Sequence, residues 1–245
     1  MKQNIILTKS INLLIVSFLL CFSSYSQNND SLFHHDKKYI AETGPSSRTY
    51  GWWYIAYGFK VSENEGNGAD LIFGKSSDFL LGYRFKQRIT NWLHVGAQIG
   101  YHYQAFHLKQ DSTKFFPNRV LHDREKLILN NLDFSPYLRI TFHKKRGIQM
   151  GKVLDIGGYG GWTYRTKHQA HNKYSVATPA GGSKTDVLNR GLVYVQDYHY
   201  GLTARMGIGH ILIYANYRLS DIFLPSYIYP ELSRISVGIE IGLHE

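Results

Sequence analysis

Three groups of residues carry side chains that could do chemistry. His168 and His171 are three residues apart, a spacing at which two imidazoles can share a metal ion. The stretch Gly157–Gly161 has the glycine content of a phosphate-binding loop. Serine, histidine and aspartate, the groups used in acyl transfer, recur in two further stretches. These residues are His107, Asp111, Ser112, His122, Asp123, Ser220 and Asp221.

None of these patterns is specific. The pair His168 and His171 has no carboxylate or cysteine close by in the sequence, which favours a surface loop. The tract His34-His35-Asp36 is similarly loose and polar. Gly157–Gly161 lies inside a β-like run with no helix after it, so its glycines are better explained as relief of crowding at a barrel bend. No spacing forces a nucleophile, a base and an acid together, and we expect no enzyme, no cofactor and no metal site.

The composition predicts an all-β protein. The chain has 245 residues, of which 19% are charged and 15% aromatic, with 23 glycines and 19 tyrosines. Disordered chains are poorer in aromatic residues, and coiled coils are richer in Ala, Glu, Lys and Leu. A single cysteine excludes a disulfide scaffold. Abundant Tyr and Gly with only 6 prolines indicate strands and tight packing instead.

The N-terminal segment 1–26 has the features of a cleaved secretory signal. Lys2 and Lys9 give a positive start, residues 11–22 form an apolar core, and Ser24-Tyr25-Ser26 places small residues at the cleavage positions. A membrane anchor is the alternative, but the apolar run is short for a span. Removal of the two lysines lowers the formal charge from +10 to +8.

Residues 27–47 are polar and rich in turn formers, which predicts an extended periplasmic lead-in. The alternative of lipidation at Cys21 is disfavoured, because the large Leu20 precedes the cysteine where that chemistry prefers a small residue. The barrel domain is expected to occupy residues 48–245.

Eight runs with a period of two follow, as in strands that have one apolar face. They are 49–61, 78–88, 92–107, 127–143, 150–167, 190–207, 210–221 and 232–243. Their links alternate in length. Residues 89–91, 144–149 and 208–209 are tight, whereas 62–77, 108–126, 168–189 and 222–231 are long and polar. Short turns at one end and long loops at the other are typical of outer-membrane barrels with an even number of strands.

The two faces of each run differ in chemistry. In the last run, Ile235, Val237, Ile239, Ile241 and Leu243 share one face, and the other face carries Glu240 between glycines. The charges in the central parts of these runs fall on the polar face. We expect twelve of these charged side chains to line the barrel interior as a structural network of ion pairs and hydrogen bonds. They are Lys60, Arg84, Lys86, Asp133, Arg139, Asp155, Arg165, Asp197, Arg205, Arg218, Arg234 and Glu240.

The apolar face is expected to contact lipid. Its side chains are nearly all large and apolar, with Tyr and Trp near the strand ends, and the chain carries a secretory signal. Glycines on the polar face suit the narrow interior of eight strands, which side chains fill. The sequence therefore predicts an eight-stranded antiparallel up-and-down transmembrane β-barrel. A lipocalin-like barrel in the periplasm, with the apolar face as its core, is the alternative.

Three segments resemble a known family. They are SSDFLLGYRFKQRITNWLHVGAQIGYHY, YLRITFHKKRGIQMGKVLDIGGYGGW, and YANYRLSDIF with YPELSRISVGIEIGL. They look like the small outer-membrane β-barrel proteins of Bacteroidota, the PorT-like group, and the architecture is similar to the OmpA and OmpX barrels. The resemblance covers about residues 49–243 and implies fold far more than activity. One departure is the end, Leu243-His244-Glu245, where such barrels usually have an aromatic residue.

The expected function is a non-catalytic structural, adhesive or accessory role in the outer membrane of a Gram-negative bacterium. The resemblance implies one alternative, an accessory subunit of a secretion or assembly machine. A barrel enzyme that modifies lipid A is a second alternative. Expected partners are outer-membrane lipid, lipopolysaccharide and other outer-membrane proteins, and nothing beyond positive charge indicates nucleic acid. Loop lysines and arginines are expected to meet lipopolysaccharide phosphates. These are Lys109, Lys114, Arg119, Arg124, Lys126, Lys167, Lys173, Lys184 and Arg190.

Overall fold

The computed structural model describes residues 47–61, 68–142, 151–173 and 183–243. The expected signal peptide, Cys21, nearly all of the lead-in and the C-terminal residues 244–245 lie outside the described residues. Among the described residues, no helix is long and apolar enough to cross a membrane.

The described chain forms nine strands, all antiparallel. Their bounds are β1 Thr49–Val61, β2 Ser77–Arg88, β3 Leu93–His107, β4 Arg124–Thr141, β5 Lys152–Lys173, β6 Lys184–Arg190, β7 Tyr198–Ile208, β8 Ile211–Arg218 and β9 Ile235–Leu243. Eight of them correspond to the eight predicted runs. The ninth, β6, was expected to be loop.

Eight strands close into a barrel, as the sequence predicts. The order around the wall is β1, β2, β3, β4, β5, β7, β8 and β9, and β9 pairs back onto β1 from Trp53↔Leu243 to Val61↔Ile235. β6 pairs only with the outer part of β5, from Lys167↔Arg190 to Lys173↔Lys184. The predicted eight-stranded antiparallel up-and-down barrel is therefore confirmed, with one added hairpin strand.

The two ends of the barrel differ. At one end the connections are short, with only residues 209–210 between β7 and β8. At the other end lie the long connections, and this is called the long-loop end below. β4 and β5 are 18 and 22 residues long, whereas β8 has 8, so the wall on the β3–β6 side rises above the rim on the β7–β9 side.

Side chains alternate between the two faces as predicted. Along β8, Ile211 and Ile213 are 58% and 61% exposed, while Leu212 and Tyr214, which alternate with them, are 1% and 2% exposed. β1 alternates in the same way, with Trp53 outward and Trp52 inward. Because a strand has a period of two, each strand has one outward and one inward face, and the inward faces also carry the buried charges Arg84, Arg139, Asp155 and Glu240.

One β-bulge interrupts this alternation. Asn130 pairs with Arg165 and Asn131 pairs with Thr163, so Tyr164 has no residue opposite it on β4. An extra residue in one strand reverses the facing of everything beyond it. Thr163 and Thr166 are both buried, and Tyr164 and Arg165 between them both face outward.

An apolar cluster covers the barrel at the long-loop end. We call it the cap cluster, and it consists of Ala69, Leu71, Phe106, Leu108, Phe116, Leu127, Leu129, Val195, Ile222, Phe223 and Leu232. Members come from the raised parts of β3 and β4 and from four connections. Phe116 is fully buried and its ring centroid lies 4.6 Å from that of Phe223 and 5.0 Å from that of Tyr229. The long loops therefore fold inward over the interior.

Candidate functional site

The centre of the barrel interior holds a network of buried ion pairs, called the central network below. Arg139 of β4 donates to Asp155 of β5 from two nitrogens, with Nε–Oδ1 2.6 Å and Nη2–Oδ2 2.8 Å. Arg84 of β2 donates from Nη2 to Glu240 of β9 at 2.7 Å and lies 3.6 Å from Asp155. Arg205 of β7 lies 3.4 Å from Glu240. These five side chains cross-link five strands.

Aromatic rings and a glutamine complete the surroundings of the central network. Arg84 lies over the rings of Trp52, Tyr54 and Tyr137, at 5.7, 5.0 and 5.3 Å from their centroids. Its Nη2 also donates to Gln98 Oε1 at 2.8 Å. Buried guanidinium groups need such partners, because an unpaired buried charge costs several kcal/mol. The network thus fills the interior at this level.

Glycines make room for the inward rings. A Cβ atom on Gly96 would lie 2.4 Å from Cζ of Tyr137, and the Tyr137 hydroxyl donates to the carbonyl of Phe85 at 3.1 Å. A Cβ atom on Gly58 would lie 2.3 Å from the hydroxyl of Tyr214. No side chain fits between these rings and the wall, so the rings lie directly against the strands.

A second group lies in the interior toward the long-loop end. We call it the His–Asp cluster, and it consists of Asp78, His102, Asp133 and His199. His102 contacts Asp133 through Nδ1 at 2.7 Å and Asp78 through Nε2 at 3.3 Å. His199 Nε2 lies 3.0 Å from the other oxygen of Asp133. All four side chains are buried.

A third group of side chains lies at the long-loop end, where β4 and β5 extend above the rest of the wall. Glu125 of β4 is contacted by Lys114 of the β3–β4 connection, by His168 of β5 at 2.7 Å and by Gln110 at 2.9 Å. Glu125 is 2% exposed and lies beyond the outward apolar side chains of β4, which begin at Leu132. Burial would raise the pKa of Glu125, but hydrogen bonds from the three partners outweigh it and hold the pKa below its usual range.

An open cleft of about 350 Å³ lies beside this third group, and we call it the basic cleft. It is lined by His107, Arg124, Glu125, Lys126, Gln169, His171 and Asp186. His171 Nδ1 contacts Asp186 at 2.5 Å, so the carboxylate of Asp186 is already engaged. Both carboxylates of the cleft are thus engaged, Glu125 by Lys114 and Asp186 by His171, and its two cations, Arg124 and Lys126, are the groups that can meet an anion.

Nine of the twelve charged residues predicted for the interior are buried there. They are Lys60, Arg84, Lys86, Asp133, Arg139, Asp155, Arg205, Arg218 and Glu240. Arg218 is at the long-loop rim, where it pairs with Glu231 at 2.6 Å and donates to the carbonyls of Ser220 and Leu232.

The other three do not lie in the interior. Arg165 faces outward because the bulge at Tyr164 reverses the alternation of β5. Asp197 is exposed because it precedes β7, which begins at Tyr198. Arg234 precedes β9 and forms a partly exposed ion pair with Asp221 at the rim. Each of the three predictions assumes regular alternation, but β5 shifts register before Arg165, and Asp197 and Arg234 precede the strands they were assigned to.

The surface-loop expectation for His168 and His171 is also wrong. Both lie on β5, and each contacts a carboxylate, Glu125 and Asp186 respectively. The sequence shows no nearby acid because these partners lie 43 and 15 residues away and meet the histidines only through strand pairing.

The rim residues considered for acyl transfer contact different partners. The backbone N–H of His107 donates to Ser76, His122 contacts Asn172 at 3.0 Å, and Asp111 accepts from Thr113. Ser220 accepts from the backbone of Tyr200, and Asp221 pairs with Arg234.

No sequence pattern pointed to Asp78, His102, His199 or Glu125 as site residues. The first three are in phase with the polar face of their runs, which was the available signal. Glu125 lies before the predicted fourth run, so no pattern pointed to it.

In comparisons with known proteins, no family model, no curated protein and no solved structure matches this chain. The class that fold and interior define is a closed eight-stranded antiparallel β-barrel with a charged, packed interior.

Proposed function

We propose that this chain is an integral outer-membrane β-barrel protein with a sealed interior. Its role is structural, adhesive or accessory rather than catalytic, and its long-loop end faces the outside of the cell. The contacts that serve this role are made by the raised wall and the cap, which meet lipopolysaccharide and other proteins of the same membrane.

The observation that carries the proposal is the inverted distribution of polarity. Arg84 and Arg139 are 0% and 1% exposed inside the barrel, whereas the outward side chains are apolar and open. Examples are Leu138, Ile156, Leu202, Met206, Ile213, Ile239 and Ile241, each between 44% and 61% exposed. Apolar surface that continues around a whole barrel far exceeds the few hundred Å² found on soluble monomers. Hydrocarbon is the solvent that suits it.

The filled interior supports a non-conducting role. The central network joins five strands, and the cap cluster closes the long-loop end above it. Eight strands enclose an interior just wide enough for side chains to fill. Stepwise conductance is therefore not expected.

The basic cleft supports contact with lipopolysaccharide. Trp162 and Tyr164 are outward aromatic residues on β5, as at a membrane interface, and Gln169 and His171 of the cleft lie further along the same strand. This order supports a position of Arg124 and Lys126 at the level of lipid headgroups, where cations bind phosphate.

The edge of β6 favours a second candidate, an accessory subunit of an outer-membrane machine. In the part of the chain that the structure describes, β6 pairs on one side only, with β5. Its Val187 and Leu188 are 45% and 44% exposed. An open strand edge can receive a strand from a partner protein, although Lys184 and Arg190 at its ends limit unspecific pairing.

Fractionation of the native cells tests the proposal. After lysis, the inner and outer membranes are separated by density, and the outer membranes are washed with alkaline carbonate. The protein is expected in the washed outer-membrane pellet, with faster migration in SDS gels before heating than after. A protein that stays in the supernatant, monodisperse without detergent, would overturn it. Affinity purification from mild detergent then separates the two candidates, because only a machine subunit retains a stoichiometric protein partner.

A further inference from the structure

The His–Asp cluster brings three metal-ligating residues together from three strands. His102 lies on β3, Asp133 on β4 and His199 at the start of β7. One ligand atom from each residue lies within 4.8 Å of the others, and the three residues are 2%, 8% and 8% exposed. These residues are 31 and 66 positions apart in the chain, so their convergence is a product of the barrel closure.

We propose that His102, Asp133 and His199 form a binding site for a divalent transition metal of the zinc class inside the barrel. Two imidazoles and one carboxylate are a ligand set that Zn²⁺, Co²⁺ and Ni²⁺ prefer and that Ca²⁺ and Mg²⁺ do not. Ligand atoms at about 2.0–2.1 Å from a tetrahedral metal lie about 3.3 Å from one another. Asp133 contacts His102 and His199 through its two different oxygens at 2.7 and 3.0 Å, and one ligand atom from each residue lies within 4.8 Å of the others, so modest side-chain movements bring the three to this spacing.

The residues around the ligands support the same function. A ligating histidine usually donates its second ring N–H to a carboxylate or another oxygen, which fixes its orientation. The second nitrogen of His102 faces Asp78 Oδ2 at 3.3 Å, and that oxygen also accepts from the Tyr214 hydroxyl at 3.2 Å. The second nitrogen of His199 faces the Thr163 hydroxyl at 3.5 Å.

Two independent observations concern the space around these ligands. A Cβ atom on Gly161 would lie 2.1 Å from Asp133 Oδ1 and 2.5 Å from His199 Cε1, so the glycine lets these two side chains converge directly against β5. Asn131 lies opposite His102 in the strand register and two residues before Asp133, which places it on the same inward face. Its side chain is 0% exposed, and both its amide atoms are without a hydrogen-bond partner among the described residues. In this proposal, a water bound to the metal would offer Asn131 such a partner.

The metal site does not depend on the membrane placement proposed above. It depends only on the fold of the barrel. A soluble barrel that binds the metal would contradict the membrane proposal alone, and a membrane barrel that binds none would contradict the metal site alone.

Cobalt titration tests the site. The full-length protein is purified in detergent without a polyhistidine tag, stripped with a chelator and titrated with Co²⁺, whose visible absorption is intense in tetrahedral sites. The expected result is one tightly bound Co²⁺ per chain that Zn²⁺ displaces. His199→Gln and Asp133→Asn should each weaken binding by more than about tenfold.

Matched controls address the other histidines. His171→Gln removes an imidazole that also faces a carboxylate, and the double variant His34→Gln/His35→Gln removes the N-terminal tract. Both should bind Co²⁺ as the unmodified protein does. Loss of the absorption in either control, or no tetrahedral absorption in the unmodified protein, overturns the proposal and leaves the cluster as a hydrogen-bonded one.

A spectroscopic measurement covers the case in which His199→Gln or Asp133→Asn fails to fold, which is detected by loss of heat-dependent migration in gels. X-ray absorption at the zinc edge of the unmodified protein should show two imidazole ligands and additional oxygen. A shell with oxygen only, or with one imidazole, contradicts the assignment.

Discussion

Arg139 and Asp155 form a two-point ion pair across β4 and β5, with N···O distances of 2.6 and 2.8 Å, and both side chains are inaccessible to solvent. Asp155 also lies 3.6 Å from Arg84 of β2, so this one carboxylate faces two buried guanidinium groups. Removal of one member leaves a charge that cannot reach water.

The first prediction concerns this pair. Asp155→Leu should lower the free energy of unfolding by about 3–5 kcal/mol, because two guanidinium groups lose their carboxylate in a buried site. The double variant Asp155→Leu/Arg139→Met should recover part of the loss. Urea unfolding in lipid vesicles, followed by tryptophan fluorescence, measures both. The outward-facing Arg165→Met is the control and should change stability by less than about 0.5 kcal/mol. Equal effects of Asp155→Leu and Arg165→Met would show that the interior pair is unimportant.

The second prediction uses two adjacent glycines of β5. A Cβ atom on Gly157 would lie 2.2 Å from the carbonyl oxygen of Pro136, whereas the nearest atom to one on Gly158 is 3.5 Å away. Gly157→Ala should therefore destabilise the barrel by about 1–3 kcal/mol, and Gly158→Ala should be close to neutral. The same urea unfolding assay compares them. A larger loss for Gly158→Ala would contradict the close approach of the Pro136 carbonyl to Gly157.

The alternation of β-strands made much of this fold predictable from sequence. β1 and β8 alternate between buried and more exposed side chains along nearly their whole length, because regular strands have a period of two. Arg165 was misplaced because a single extra residue at Tyr164 is invisible to that period. β6 was missed because it lies in a stretch that was expected to be a polar loop, and its partner is the unforeseen continuation of β5.

The sites were less predictable than the strands. Glu125 contacts His168 because β4 and β5 are neighbours in a particular register. His102 and His199 come together because each contacts Asp133 from a different strand. A local pattern contains no information on pairs separated by 43 or more residues. The polar phase of Asp78 and His102 was the one usable signal, and it indicates a face rather than a partner.

The third prediction concerns depth in the membrane. Ala215 is an outward residue near the middle of β8, and Ile211 is an outward residue at its short-turn end. Arginine at Ala215 should destabilise the folded barrel by about 2–4 kcal/mol, and arginine at Ile211 by about 0–1 kcal/mol. Unfolding in vesicles measures the difference. A barrel bathed in water would tolerate both substitutions equally.

The fourth prediction concerns pH and Glu125. The pKa of Glu125 is lowered in the folded protein, so the stability that its charge provides is present above the unfolded pKa and is lost as pH falls through the folded value. The difference in unfolding free energy between the unmodified protein and Glu125→Gln should be constant near neutral pH. It should shrink below about pH 4. A difference that is independent of pH down to strong acid would show that Glu125 is not held as an anion.

The proposal that the outward face of the barrel contacts lipid is tested most directly by measuring the accessibility of β8 in lipid bilayers. In a Cys21→Ser background, single spin-labelled cysteines are placed at successive positions 212–217 and exposed to oxygen, which concentrates in hydrocarbon, and to a water-soluble nickel chelate. If the outward face contacts lipid, labels at 213, 215 and 217 will collide with oxygen and not with the chelate, while those at 212, 214 and 216 will be shielded from both. Frequent collisions of the chelate with labels at 213, 215 and 217 would contradict it.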